Sequence, residues 1–236
     1  MQKKHFLFLL LIVFIIKLSA QENSEVTVTG RMRDVMWQGK LAASIRLDTL
    51  DMEHAYGLGP VAYLKGEILL LDGIAYRSTV LDDKTMQVED NFKGGAPFFG
   101  YAKITDWESQ KLPSAINTLT QLESHLDKLA PELPEPFFFR LKCAVQSAVI
   151  HVVNLPEGSI VRSPDEAHQG LTKYPVEDKE VEILGFYSTR HKAILTHHDT
   201  NMHLHLITAD KQQMGHVDVL EIKAGSAELL LPKSKQ

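Results

Sequence analysis

NMHLHLITADKQQMGHVDVLEI, residues 201–222, reads as two extended runs about a polar turn. Successive side chains of a strand alternate between faces, so His203 and His205 share one face while Leu204 and Leu206 share the other. His216 follows after ten residues that contain the turn TADKQQMG, and a hairpin there carries it alongside the first pair. Three neutral imidazoles on two adjacent strands are the donor set of a catalytic zinc site that keeps positions open for water or substrate. A histidine in a strand is more often packed or solvent-facing. The metal reading draws on the alternation, because a face of imidazole backed by leucine is costly unless its nitrogens are satisfied. His191, His197 and His198 are competing ligands nearby, but adjacent His197 and His198 fall in a polar run that reads as solvated loop.

Outward from this stretch the second half of the chain is dominated by β-type runs: FFFRLKCAVQSAVIHVV (137–153), VEILGFYST (181–189) and AELLLP (227–232). Upstream, GEILLL (66–71) and IAYRSTVL (74–81) flank Asp72-Gly73, the dipeptide that best favours a two-residue hairpin turn. A third short strand is expected over 84–88, with Gly94-Gly95-Ala96-Pro97 as a loop before FFGYAKITDW (98–107). Residues 21–30 read as a polar stub, and the apolar spacing over 31–51 predicts a helix followed by a short loop or second turn. The clearest helix spans 114–130, with Ile116, Leu119, Leu122, Leu126 and Leu129 on one face, Ser114 as N-cap and Pro131 as the stop. PELPEP (131–136) reads as a rigid linker, dividing a sheet and helix domain over 21–130 from a β-rich, metal-binding domain over 137–236.

Composition sets the compartment and narrows the partners. The 236 residues are 44% hydrophobic and 23% charged, within the globular range. Part of the apolar content is one block, FLFLLLIVFII (6–16), behind Lys3 and Lys4 and ahead of Leu18-Ser19-Ala20. That is the pattern of a cleavable signal peptide over 1–20, too short for a bilayer span of about 20 residues. The expectation is a secreted or periplasmic protein without a stable membrane anchor. The segment removed carries three lysines and no acid, so the mature chain is more acidic than the net charge of −5 for the whole, which argues against nucleic acid. Cys143 is the single cysteine, which excludes an intrachain disulfide.

Two further residues are candidates for chemistry. Glu67 opens an otherwise apolar strand, where it is either exposed at the strand end or paired inside a pocket. Arg162, in GSIVRSPDEAHQGLTKYP, is flanked by loop residues, as a guanidinium that grips a substrate carboxylate would be, or as any surface arginine would be.

The ordered set GLGPVAYLKGEILLLDGIAYR (57–77), IVRSPDEAHQGLTKYP (160–175) and EILGFYST with NMHLHLITADKQQMGHVDV (182–219) resembles the α-acetolactate decarboxylase family. Pro60 and Lys65 stand where that family carries Thr and Asp. The resemblance implies a two-domain α/β fold, sheet-rich in the α+β sense. An N-terminal mixed sheet with helices is packed beside a β-rich domain that holds the metal. It also implies a homodimer and the conversion of 2-acetolactate, a small 2-hydroxy-3-keto acid, to acetoin and carbon dioxide. By the same resemblance His203, His205 and His216 bind Zn2+, Glu67 is the carboxylate beside it and Arg162 the active-site arginine. The ion acts as Lewis acid for the enediolate. The family returns a second glutamate from its C-terminal tail, whereas here only Glu221 and Glu228 follow His216. Two other readings keep the histidines: an exported metal- or ligand-binding protein without turnover, and a zinc-dependent hydrolase.

Overall fold

A computed structural model describes residues 25–233, so the signal-peptide reading lies outside the described residues. The first half runs through β1 (Thr27–Thr29), α1 (Met32–Gln38), β2 (Ile45–Arg46), β3 (Ala55–Pro60), β4 (Glu67–Leu71), β5 (Ile74–Val80), β6 (Met86–Glu89), β7 (Gly95–Ala96) and β8 (Phe99–Lys103). The second half runs through β9 (Trp107–Lys111), α2 (Leu119–Leu129), β10 (Phe137–Val152), α3 (Pro164–Ala167), β11 (Thr172–Glu177), β12 (Glu180–Tyr187), β13 (Met202–Thr208), β14 (Met214–Ile222) and β15 (Glu228–Pro232). The fold is sheet-rich α+β with few helices. No helix among the described residues is long and apolar enough to cross a membrane.

The first sheet has the order β1-β8-β3-β4-β5-β6. Its pairings are all antiparallel, where a mixed sheet was expected. Short connections account for the β3–β4, β4–β5 and β5–β6 pairings, since a parallel pair needs a long crossover, whereas β8 pairs with β1 and β3 from a distance in sequence. The Asp72-Gly73 turn closes the β4–β5 hairpin as anticipated. Both residues have positive φ, 46° and 82°, as the primed turns of tight hairpins require. The strand expected near 84–88 is β6. Two expectations fail here. The polar stub contributes β1, an edge strand, and Gly95-Ala96 pairs with Ile45-Arg46 instead of remaining loop.

The second sheet curls around the long strand β10. Residues 137–144 of β10 pair with β12, residues 145–151 pair with β14, and β12, β13 and β14 follow one another, so four strands close on themselves. One face of this ring supplies Phe139, Leu141, Ile183, Leu204 and Leu206 to a core that also takes Leu122 and Leu126 of α2. The helix begins later than predicted. Thr118, not Ser114, is the N-cap, because Thr118 and Gln121 satisfy each other's backbone amides in a capping box. The change from one sheet to the other falls between Lys103 and Trp107. Thus β9, which pairs with β15, and α2 both lie with the second sheet although they precede the 131–136 segment.

The two sheets meet through a second apolar cluster, in which Leu58, Leu69 and Leu71 of the first pack against Phe138, Leu184, Phe186, Ile207 and Met214 of the second. This seam positions the site. Alternation along β4 sends Glu67 in the same direction as Leu69 and Leu71, and alternation along β13 sends His203 and His205 in the same direction as Ile207.

Candidate metal centre

Cross-strand register brings the three histidines together. His205 lies directly opposite His216 in the β13–β14 pair, and His203 is two residues from His205 on the same face. Ring centroids are 5.0 Å apart for His203–His205, 4.8 Å for His203–His216 and 5.6 Å for His205–His216. One nitrogen from each falls within 4.8 Å of those of the other two, and all three rings are buried.

Hydrogen bonding decides which nitrogens face inward. His203 Nδ1 lies 2.6 Å from the Leu195 carbonyl and His205 Nδ1 lies 2.9 Å from the Ile68 carbonyl. A carbonyl only accepts, so both Nδ1 atoms carry the proton and both Nε2 atoms present lone pairs. Those two Nε2 atoms are 3.2 Å apart. Two lone pairs at that distance repel. A cation between them removes the conflict, and two nitrogens bound at about 2.0–2.1 Å in a tetrahedral site would stand at about this separation. The residues therefore fit a divalent ion. Burial also holds the imidazoles in the neutral, ligating form: it drives His203 and His216 well below the ordinary histidine range and His205 down to about 3.

Glu67 is in this pocket and not at a wet strand end. It is buried, its Oε1 accepts from the Val153 amide at 3.3 Å and its Oε2 lies 3.6 Å from His205 Nε2. Burial pushes its carboxyl well above the usual range, the Val153 amide opposes that, and Asp218 adds to it.

Arg162 is not brought to the site. Its neighbour Val161 is buried, with its backbone close to Gly39 at the end of α1, while Arg162 is exposed and holds Glu166 Oε2 through its backbone amide at 2.6 Å. Glu221 is also diverted, accepting from Ser147 at 3.2 Å. Glu228 is exposed beside Ser109.

Three further imidazoles line the pocket: His151, His168 and His197. His197 does lie in a loop, but one that turns it inward: its ring sits 5.2 Å from that of His216 and burial lowers its pKa, whereas His198 is exposed as expected. His151 lies opposite His216 in the β10–β14 pair with rings 4.6 Å apart, and its Nδ1 is 2.7 Å from Asp218 Oδ1. Lys173 holds the other oxygen of that carboxylate at 2.9 Å. His151, His216 and Asp218 also lie close enough to share an ion, and within that group His151 Nδ1 and Asp218 Oδ1 are hydrogen-bonded to each other. Two sequence signals pointed this way. His151 interrupts an apolar strand, and Asp218 is two residues from His216 and so shares its face.

Comparison with known proteins places the arrangement. The family model for alpha-acetolactate decarboxylase matches residues 31–233. The fold is similar to crystal structures of acetolactate decarboxylase from Bacillus subtilis subspecies spizizenii (TM-score 0.71, 18% identity, covering 89% of this chain and 86% of that one) and from Bacillus subtilis strain 168 (0.70, 19%, 89% and 86%). A Staphylococcus aureus protein of unknown function, similar to alpha-acetolactate decarboxylase, aligns with TM-score 0.66 at 16% identity, over 87% and 84% of the two chains. No curated protein matches the sequence.

Proposed function

Since the chain belongs to the alpha-acetolactate decarboxylase family, a family of carboxy-lyases, we propose that it converts 2-acetolactate to acetoin and carbon dioxide at the three-histidine site. The observation that carries this reading is the pair of facing Nε2 lone pairs beside a buried carboxyl group. A divalent ion held by His203, His205 and His216, which we take to be Zn2+, supplies Lewis acidity toward the electron pair that remains when carbon dioxide departs. The protein does the rest. The Leu195 and Ile68 carbonyls fix the imidazole tautomers, and Leu64, Phe98 and Val153 on the pocket wall exclude bulk water. Glu67, whose carboxyl burial pushes upward and whose Oε1 accepts from the Val153 amide, is placed to deliver a proton to the carbon that loses the carboxylate and to regain one from solvent.

The test is direct. Metal-loaded mature protein incubated with racemic acetolactate should produce acetoin, and production no greater than in the metal-free control would end the proposal. The same assay separates turnover from simple metal or ligand storage. We further propose that the chain is exported after cleavage at Ala20 and pairs with a second copy. N-terminal sequencing of the secreted form and its mass in solution test these two points.

A further inference from the structure

Arg162 is exposed, no lysine or arginine among the described residues lines the pocket, and apart from Glu67 its polar wall is imidazole. We propose that His151 is the residue that recognises the 2-hydroxyl of the substrate, with Asp218 and Lys173 as positioning residues behind it; this deepens the decarboxylase reading and rests on it. The geometry supplies the argument. Asp218 Oδ1, 2.7 Å from His151 Nδ1, is a carboxylate that accepts and so fixes Nδ1 as the donor. The nitrogen left for the pocket is Nε2, which in the neutral ring carries the lone pair. Lys173 on Oδ2 stops the carboxylate from turning away, and the ring is buried in the β10–β14 pair beside His216, which limits its own rotation. An acceptor held rigidly one residue across from a metal ligand is matched to a hydroxyl proton on a substrate that occupies the open side of the ion. The two remaining imidazoles do not have this second anchor. His168 caps the short helix α3, and His197 lies on the loop before β13.

Two unreactive ligands test it in the zinc-loaded protein: 2,3-dihydroxy-2-methylbutanoate, which keeps the 2-hydroxyl and carboxylate but has no keto group, and 3-hydroxy-2-methylbutanoate, which lacks the 2-hydroxyl as well. Calorimetric titration of wild type should favour the first. In His151→Phe that preference should shrink by about tenfold, the size of one well-made hydrogen bond, with bound zinc per chain unchanged. His151→Gln, which offers an amide oxygen in place of Nε2, should recover part of it, and Asp218→Asn should lose a smaller part; these two variants also decide the matter if the phenylalanine variant does not fold. An undiminished preference in His151→Phe, or in both His151→Gln and Asp218→Asn, would overturn the role of His151 while leaving the decarboxylase reading intact. Loss of zinc from His151→Phe would overturn it too, by making His151 a ligand. Failure of wild type to bind either compound would overturn the decarboxylase reading, and the hydroxyl role with it.

Discussion

The two faces of β13 are one residue apart in sequence and opposite in kind. Leu204 and Leu206 point into an apolar core shared with α2, where neighbours of similar size could replace them with little change in chemistry. His203 and His205 point into the seam between the sheets, where each imidazole is held by a specific carbonyl, one of them on the other sheet. The contrast teaches that stability and reactivity are loaded onto alternate residues of one strand, so each can be perturbed separately.

The largest effect is expected on the imidazole face. His205→Ala removes one of the three proposed ligands and should lower bound metal per chain and cut acetoin formation by more than about 100-fold, beyond what loss of an outer supporting partner typically costs. Glu67→Gln keeps shape and hydrogen-bonding capacity but not the proton; zinc should stay bound while turnover falls by about 10²- to 10⁴-fold, read from kcat against metal analysis. A fully active Glu67→Gln would remove the proton donor from the scheme. On the other face, Leu206→Ala should cost about 2–5 kcal/mol of unfolding free energy in denaturant titration and leave zinc per folded chain unchanged. If it released zinc, the separation between faces would be false. Thr118→Ala, which breaks the cap of the helix behind that core, should cost about 1 kcal/mol and leave catalysis intact. Smallest of all, Arg162→Ala should alter turnover by less than about twofold, as for an ordinary surface substitution.

The alternation that separates these faces was also what could be read in advance. The convergence of His203, His205 and His216 and the Asp72-Gly73 hairpin rest on local period and turn chemistry, and the structure brings the three rings together and closes the hairpin. Residues placed by long-range register were harder. His151 and His216 are 65 positions apart and meet only because β10 turns from β12 to β14 part-way along its length, a curl that no local pattern announces. Arg162 shows the converse: its loop was visible, but its exposure beside the buried Val161 depends on how that loop packs near α1. Ser114 was the expected cap, and the reciprocal bond between Thr118 and Gln121 starts the helix four residues later. The change of sheet at 104–106 was hidden because β9, mostly exposed, lacks a regular apolar pattern.

The hydrogen bond from His205 Nδ1 to the Ile68 carbonyl ties a proposed ligand on one sheet to the backbone of the other. Ion occupancy is thereby written into the mechanical union of the two halves. Stripping the ion with a chelator would leave His203 and His205 opposing each other across the gap, and the strain would be felt on the far side, in β4. Amide exchange at Ile68 and Leu69 should then quicken before the apolar ring around α2 loosens, so the empty protein would come apart first along its seam.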